Sequence, residues 1–256
     1  MKLEVNNINL YYEVYGKALK GKEPVIIFLH DSLGCTELWR DFPQKISDQT
    51  GISCLCYDRQ GYGRSDPFST NKRTNKYLEN EAVVLKKIID ALNLKKVYLF
   101  GHSDGGSIAI IAASLYPQTI RGIITEGAHI FVEEITLSGI REAIHLYQTT
   151  NLKQRLEKYH GEKTEMVFKL WTETWLSPEF QDWNIESYLN HIICPSLIIQ
   201  GEDDEYGSLD QVESIVKNTK GNSERLVIKD SGHSPHKETP LLVASKTVEF
   251  IRDFNP

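Results

Sequence analysis

The residue types that could do chemistry are gathered in a few short segments of this chain. The run Val97-Tyr-Leu-Phe-Gly-His-Ser-Asp-Gly-Gly-Ser-Ile-Ala places Ser103 midway between Gly101 and Gly105, a G-x-S-x-G spacing. A serine hydroxyl is a weak nucleophile until a base removes its proton and a third group orients that base. Both types occur further on: the acidic loop Glu202-Asp203-Asp204-Glu205, and the loop Asp230-Ser-Gly-His-Ser-Pro-His with His233 and His236. Such a set can attack a carbonyl carbon and pass through a covalent acyl intermediate. The spacing alone is a weak signal: at ordinary glycine frequency a chain of this length meets it by chance about one time in ten. Its context is stronger. A short β-rich run, Val97 to Phe100, enters the turn, and a helix of small and apolar residues, Ser107 to Leu115, leaves it and stops before Pro117. A strand–turn–helix of this kind forces the serine into a strained backbone conformation. Gly101 and Gly105 lack the β-carbons that would collide there, and Gly106 lets the helix start close to the strand.

The elements that must position these residues follow from apolar periodicity. Residues 2–6 and 8–15 read as strands joined at Asn6-Asn7, an antiparallel hairpin. Continuous apolar runs at 24–29, 52–57, 97–100, 121–125 and 196–201, and the run 224–229, read as further strands, mostly buried on both faces. Helices are expected at 36–48, at 74–92 (Leu78, Ala82, Leu85, Ile88, Ile89 and Leu92 at helical spacing), at 107–115, at 209–217 and at 240–253. This alternation predicts an α/β fold, a mostly parallel sheet of about eight strands with helices on both faces. It breaks between 128 and 193, where aromatics such as Phe131, Trp171, Trp175 and Trp183 stand on helical patterns. That stretch is expected to be a helical cap inserted into a core of residues 1–127 and 194–256, covering one edge of the sheet. Sites in open parallel sheets form beyond the C-terminal strand ends, and Ser103, the Asp203/Asp204 pair and His233 all fall in such loops.

Composition narrows the classes. The 256 residues are 40% hydrophobic and 25% charged, with a net charge of −6 and no Lys/Arg run. This argues against a nucleic-acid or anionic-membrane partner. Apolar runs such as Val25 to Leu29 are too short to span a bilayer, and the N-terminal residues lack the apolar core of a signal peptide. A soluble cytoplasmic protein is expected. Cys54 and Cys56 alternate along one strand and share a face, no cysteine pair has zinc-ligand spacing, and all four cysteines are expected as buried free thiols.

Five segments carry a resemblance: Phe28-Leu-His-Asp-Ser-Leu-Gly, Asp58-Arg-Gln-Gly-Tyr-Gly-Arg-Ser, Gly101-His-Ser-Asp-Gly-Gly, Gly201-Glu-Asp-Asp and Ser231-Gly-His. Through them the chain resembles the α/β-hydrolase fold superfamily from end to end, in its serine-nucleophile branch. The Ser…Asp…His order also matches. The resemblance implies Ser103 as nucleophile, Asp204 as the acid by the Gly-x-x-Asp spacing, and His233 rather than His236 as the base. Oxyanion donors would be the N–H groups of Asp104 and Ser32, with Leu33 an alternative to Ser32; relatives usually carry His-Gly where this chain has His30-Asp31. His30 would buttress that loop and His102 would point away from Ser103. His129, His145, His160 and His191 default to surface or satisfied helix positions. The Asp58–Asp66 loop is expected to be structural, with Arg59 or Arg64 pairing with nearby acids. Ser103-Asp104-Gly105-Gly106, Glu126-Gly-Ala and the helical insertion resemble, more narrowly, the valacyclovir hydrolase (biphenyl hydrolase-like) group.

The expected activity is hydrolysis of a small ester or related acyl substrate, a small molecule, with no metal and no organic cofactor. Candidate substrate contacts are Asp104, Leu33, Trp171 and Trp175. The Asp104 carboxylate at the floor of the site would favour an α-amino-acid ester through a charge-assisted hydrogen bond; in the alternative reading it hydrogen-bonds within the turn and touches no substrate. Rival functions are a carbon–carbon bond hydrolase or lyase using the same triad, whose members usually carry extra arginine or asparagine around the site, and a ligand receptor that retains the fold.

Overall fold

Asn6 and Asn7 both take positive φ, 55° and 62°, the backbone of a tight hairpin turn that asparagine tolerates. In the computed structural model, which describes residues 1–254, β1 (Lys2–Val5) and β2 (Ile8–Tyr15) pair antiparallel across this turn. The sheet continues with β3 (Pro24–Leu29), β4 (Ser53–Tyr57), β5 (Lys96–His102), β6 (Ile120–Glu126), β7 (Ser196–Gly201) and β8 (Ser223–Ile228). Its order is β1-β2-β4-β3-β5-β6-β7-β8, antiparallel as far as the β2–β4 pair and parallel from β4 to β8. The eight strands and their mostly parallel pairing match the expectation from sequence.

Alternation along each strand divides the core in two. Val97 and Leu99 of β5 join one apolar cluster, while Tyr98 and Phe100 join the other, as a period of two requires. Helices α1 (Phe42–Thr50) and α10 (Pro240–Phe254) cover the second cluster with Phe42, Ile46, Val243 and Phe250. Helices α2 (Tyr77–Ala91) and α3 (Asp104–Leu115) cover the first with Leu78, Leu85, Ile108 and Ile111. Because α3 is small and apolar all round, it can be buried on nearly every side. All four cysteines are free and buried.

One predicted helix, 36–48, is two pieces: a 3₁₀ turn at Thr36–Trp39 and then α1, separated at Arg40 with φ 53°. Pro43 explains the break. It has no N–H, and in a continuous helix its ring would strike the carbonyl of Trp39, whereas the first turn of a new helix accepts it.

The stretch between β6 and β7 folds as α4 (Glu134–Thr149), α5 (Leu152–His160), α6 (Thr164–Trp175) and α7 (Glu186–Leu189), and α8 (Leu209–Asn218) and α9 (Pro235–Glu238) follow β7 and β8. Of the inserted helices α4–α7, α5 and the turn leading into α6 are tied to loops at the C-terminal ends of the strands, where an edge of the sheet was expected. The imidazole Nε2–H of His160 donates to the Leu33 carbonyl at 3.0 Å, and the Lys163 ammonium donates to the carbonyls of Tyr62, Gly63 and Ser65 at 2.6–3.2 Å. The loops that follow β3 and β4 are thus the docking surface. Lys163→Met leaves three carbonyls without their donor, so urea unfolding is expected to show a loss of about 1–3 kcal/mol. An unchanged midpoint would mean that these bonds do not hold the insertion down.

Candidate active site

Ser103 joins β5 to α3 with φ 54° and ψ −119°, a conformation that costs a non-glycine residue roughly 1–3 kcal/mol. Surrounding backbone holds it there. Its N–H donates to the Glu126 carbonyl at 2.8 Å, and its own carbonyl accepts from the N–H groups of Gly106 and Ser107 at 2.8 and 3.1 Å. A β-carbon on Gly101 would lie 2.1 Å from the Gly105 carbonyl oxygen, and one on Gly105 would lie 2.0 Å from that of Leu29. Glycine at these two positions therefore lets the first turn of α3 press against the end of β3, where the His30 loop begins.

In the loop after β8, the Nδ1–H of His233 donates to both carboxylate oxygens of Asp204, at 2.8 and 2.9 Å. Asp204 is almost fully buried, and its charge is met by further donors: the N–H groups of Tyr206 and Gly207 and the Gln200 amide. Asp203 is exposed. The acid that faces His233 is therefore Asp204. His236 is committed elsewhere, since its N–H and Nδ1 both bind the fully buried Glu126 carboxylate at 2.6–3.1 Å. With a proton on Nδ1, the His233 ring keeps a lone pair on Nε2 and can act as a base.

Burial pushes the His233 pKa down, but the Asp204 hydrogen bond and charge, helped by Glu205 and Asp31, outweigh it and raise the pKa above the ordinary 6.5. For Asp204, burial pushes upward and the His233 bond and charge bring the carboxyl below its ordinary value. His102 behaves differently: burial, against the pull of Asp31 and Glu126, lowers it to about 3. It is neutral, and its Nε2–H donates to the His233 carbonyl at 2.8 Å. His102 thus supports the backbone of His233.

Ser103 and His233 open on one cavity of about 80 Å³, with Ser32, Leu33, Trp171 and Trp175 in its wall. Sequence reasoning missed Asp31, His129, Thr136 and Tyr206, which complete most of that wall. His129 is neither a surface nor a helical residue. It is buried, its Nε2–H donates to the Tyr206 carbonyl at 3.0 Å, and its Nδ1 has no partner among the described residues. Its position three residues beyond β6, at a C-terminal strand end, was the available signal. His160 is satisfied at both ring nitrogens, by Gly63 and Leu33, and His145 and His191 are exposed. A larger cleft of about 480 Å³ lies on the other side of α6, among residues 71–75, Leu170, Glu173 and Thr174; it contains neither Ser103 nor His233.

Asp104 departs from the expected substrate contact. Its carboxylate is 1% exposed, accepts from Arg59 Nη1 at 3.2 Å and from the Tyr77 hydroxyl at 3.0 Å, and does not line the cavity. These two donors already hold it, and the acidic residue that lines the cavity is Asp31.

Residues 24–188, more than half of the chain, match the family described as alpha/beta hydrolase fold. This chain is an α/β-hydrolase. Among curated proteins, the α/β-hydrolase resembles "Serine hydrolase BPHL" of Homo sapiens, at 30% identity over 231 residues, covering 86% of this chain and 75% of that protein. The narrower resemblance to the valacyclovir hydrolase group agrees with this. A proline iminopeptidase of Saccharolobus solfataricus is 26% identical over 288 residues, covering 96% of this chain and 89% of that protein. The meta-cleavage product hydrolase CumD of Pseudomonas fluorescens IP01 shares the fold, with a TM-score of 0.80 at 18% identity, covering 100% of this chain and 98% of that one.

If His233 serves as the general base, its protonation makes kcat/KM fall on the acid side with a midpoint above pH 6.5. Asp204→Asn removes the charge that raises this pKa. A pH–rate profile of that variant should show the acid limb moved to lower pH and kcat reduced by about 10⁴-fold. An acid limb that stays in place would deny the Asp204–His233 coupling.

Proposed function

We propose that this α/β-hydrolase is a serine esterase that cleaves a small ester or related acyl substrate through an acyl-enzyme. One observation carries the reading: a serine on a positive-φ turn and an imidazole held by a buried carboxylate share one small cavity. As the Ser103 Oγ attacks the carbonyl carbon, His233 Nε2 takes its proton, and Asp204 stabilises the imidazolium. The oxyanion of the tetrahedral intermediate is received by the N–H groups of Ser32 and Asp104, each such donor being worth about 10²–10³ in rate. His233 then gives the proton to the leaving alkoxide, and water reverses the sequence to release the acid. No step needs a metal or an organic cofactor.

The cavity's size supports a small acyl group, and the Trp171 and Trp175 indoles support an apolar one. An α-amino group on the substrate would meet Asp31, not Asp104. Burial acts to raise the Asp31 pKa, but the charge of Lys237 foremost among its neighbours brings it below the ordinary value, so the group is ionised. A carbon–carbon hydrolase is less well supported, because no arginine or asparagine stands in the cavity wall among the described residues. No described helix is long and apolar enough to cross a membrane.

Ser103→Ala should abolish both p-nitrophenyl acetate hydrolysis and labelling by a fluorophosphonate probe; persistent labelling would overturn the reading. Asp31→Asn is expected to cut the preference for an α-amino ester over its des-amino analogue by about tenfold, the difference between a charge-assisted and a neutral hydrogen bond. An unchanged ratio in kcat/KM would remove Asp31 from substrate recognition.

A further inference from the structure

We propose that Arg59 is a positioning residue that aims both oxyanion donors at once; this rests on the serine-hydrolase reading above. Arg59 is 2% exposed, and its guanidinium reaches two loops that are far apart in sequence. On one side Nη2 donates to the carbonyls of Asp31 at 2.8 Å and His30 at 3.4 Å. On the other, Nη1 donates to the Asp104 carboxylate at 3.2 Å. The Arg59 main-chain N–H adds a third tie, to His30 Nε2 at 3.1 Å, and the guanidinium lies 4.7 Å above the Tyr62 ring.

Peptide planarity turns these contacts into aim. In a trans peptide the C=O and the next N–H point in opposite directions, and no cis bond occurs among the described residues. The Asp31 carbonyl is drawn toward Arg59 and toward the Nδ1–H of His30, 2.8 Å away. The Ser32 N–H therefore faces the other way, and Ser32 lines the cavity that holds Ser103. Asp104 owns the second donor, and its carboxylate is fixed by the same guanidinium together with the Tyr77 hydroxyl. One planar fork thus sets the spacing of two N–H groups that belong to different loops. A lysine, as a single point donor, would not reach in both directions.

A buried ion pair with a purely structural role makes a different prediction. Removing one partner leaves an uncompensated charge and destabilises the fold, and removing both restores it. The test compares Arg59→Met, Arg59→Lys and the double variant Arg59→Met with Asp104→Leu. Thermal melts are read beside kcat and KM, with kcat normalised to the fraction of sites that a fluorophosphonate labels. Affinity for a trifluoromethyl ketone, which forms a tetrahedral adduct, is measured in parallel. The expected result is that the double variant regains the melting temperature lost in Arg59→Met. Its kcat stays about 10²-fold or more below wild type, with KM changed only a few-fold and ketone affinity reduced in step with kcat. A double variant whose kcat and ketone affinity lie within threefold of wild type would overturn the proposal. Where the methionine variants do not fold, wild-type kcat and ketone affinity in Arg59→Lys overturn it equally. Failure of the wild-type chain to label at Ser103 would instead bring down the hydrolase reading, leaving the two failures distinguishable.

Discussion

The turn at Ser103 depends on two close approaches that no β-carbon could survive, Gly101 against Gly105 and Gly105 against Leu29. They draw the ends of β3 and β5 and the first turn of α3 to backbone contact, and the rest of the site is hung from that point. The Glu126 carbonyl at the end of β6 takes the Ser103 N–H, while the carboxylate of the same residue takes the His236 N–H and ring. Glu126 therefore ties the serine turn to the loop that carries His233. Gly127 continues the same economy of space: a β-carbon there would lie 2.9 Å from the His233 ring.

Four buried carboxylates stand near the C-terminal strand ends among the described residues, and each has its own cation or hydrogen-bond donor: Asp204 with His233, Glu126 with His236, Asp104 with Arg59, and Asp58 with the N–H groups of Thr36 and Arg64. A buried charge without a partner is strongly destabilising, so the pairing decides which groups remain free for chemistry. His236 cannot serve as the base because Glu126 holds it. Asp104 cannot easily meet a substrate because Arg59 and Tyr77 hold it. Asp31 is the contrasting case, partly exposed and with no short partner to its carboxylate among the described residues, its oxygen 3.9 Å from His102 Nδ1. The neutrality of His102 matters here as well. It supports the His233 carbonyl without placing a positive charge beside the His233 imidazole.

What the sequence made legible is what local chemistry controls. Continuous apolar runs marked the buried strands, two asparagines marked the hairpin, and the glycine spacing marked the turn at Ser103. Pro43 was equally visible and should have divided the helix expected at 36–48. Side-chain direction was not legible. Asp104 and Arg59 are 45 residues apart, and Arg59 lies in a loop expected to be structural. Nothing local says that a carboxylate next to the serine will turn to that guanidinium instead of toward a substrate. The placement of the inserted helices was hidden for the same reason: His160 and Lys163 find partners about 100 residues earlier in the chain.

The proposed reaction turns on a covalent acyl-enzyme at Ser103. Turnover of a p-nitrophenyl ester, quenched in acid within the first cycle and followed by mass mapping of the tryptic peptide Val97–Arg121, tests it directly. The expected result is a stoichiometric burst of p-nitrophenolate and the mass of one acyl group on Ser103. Steady hydrolysis with no burst and with the acyl group absent from Ser103, or carried by another residue, would contradict it.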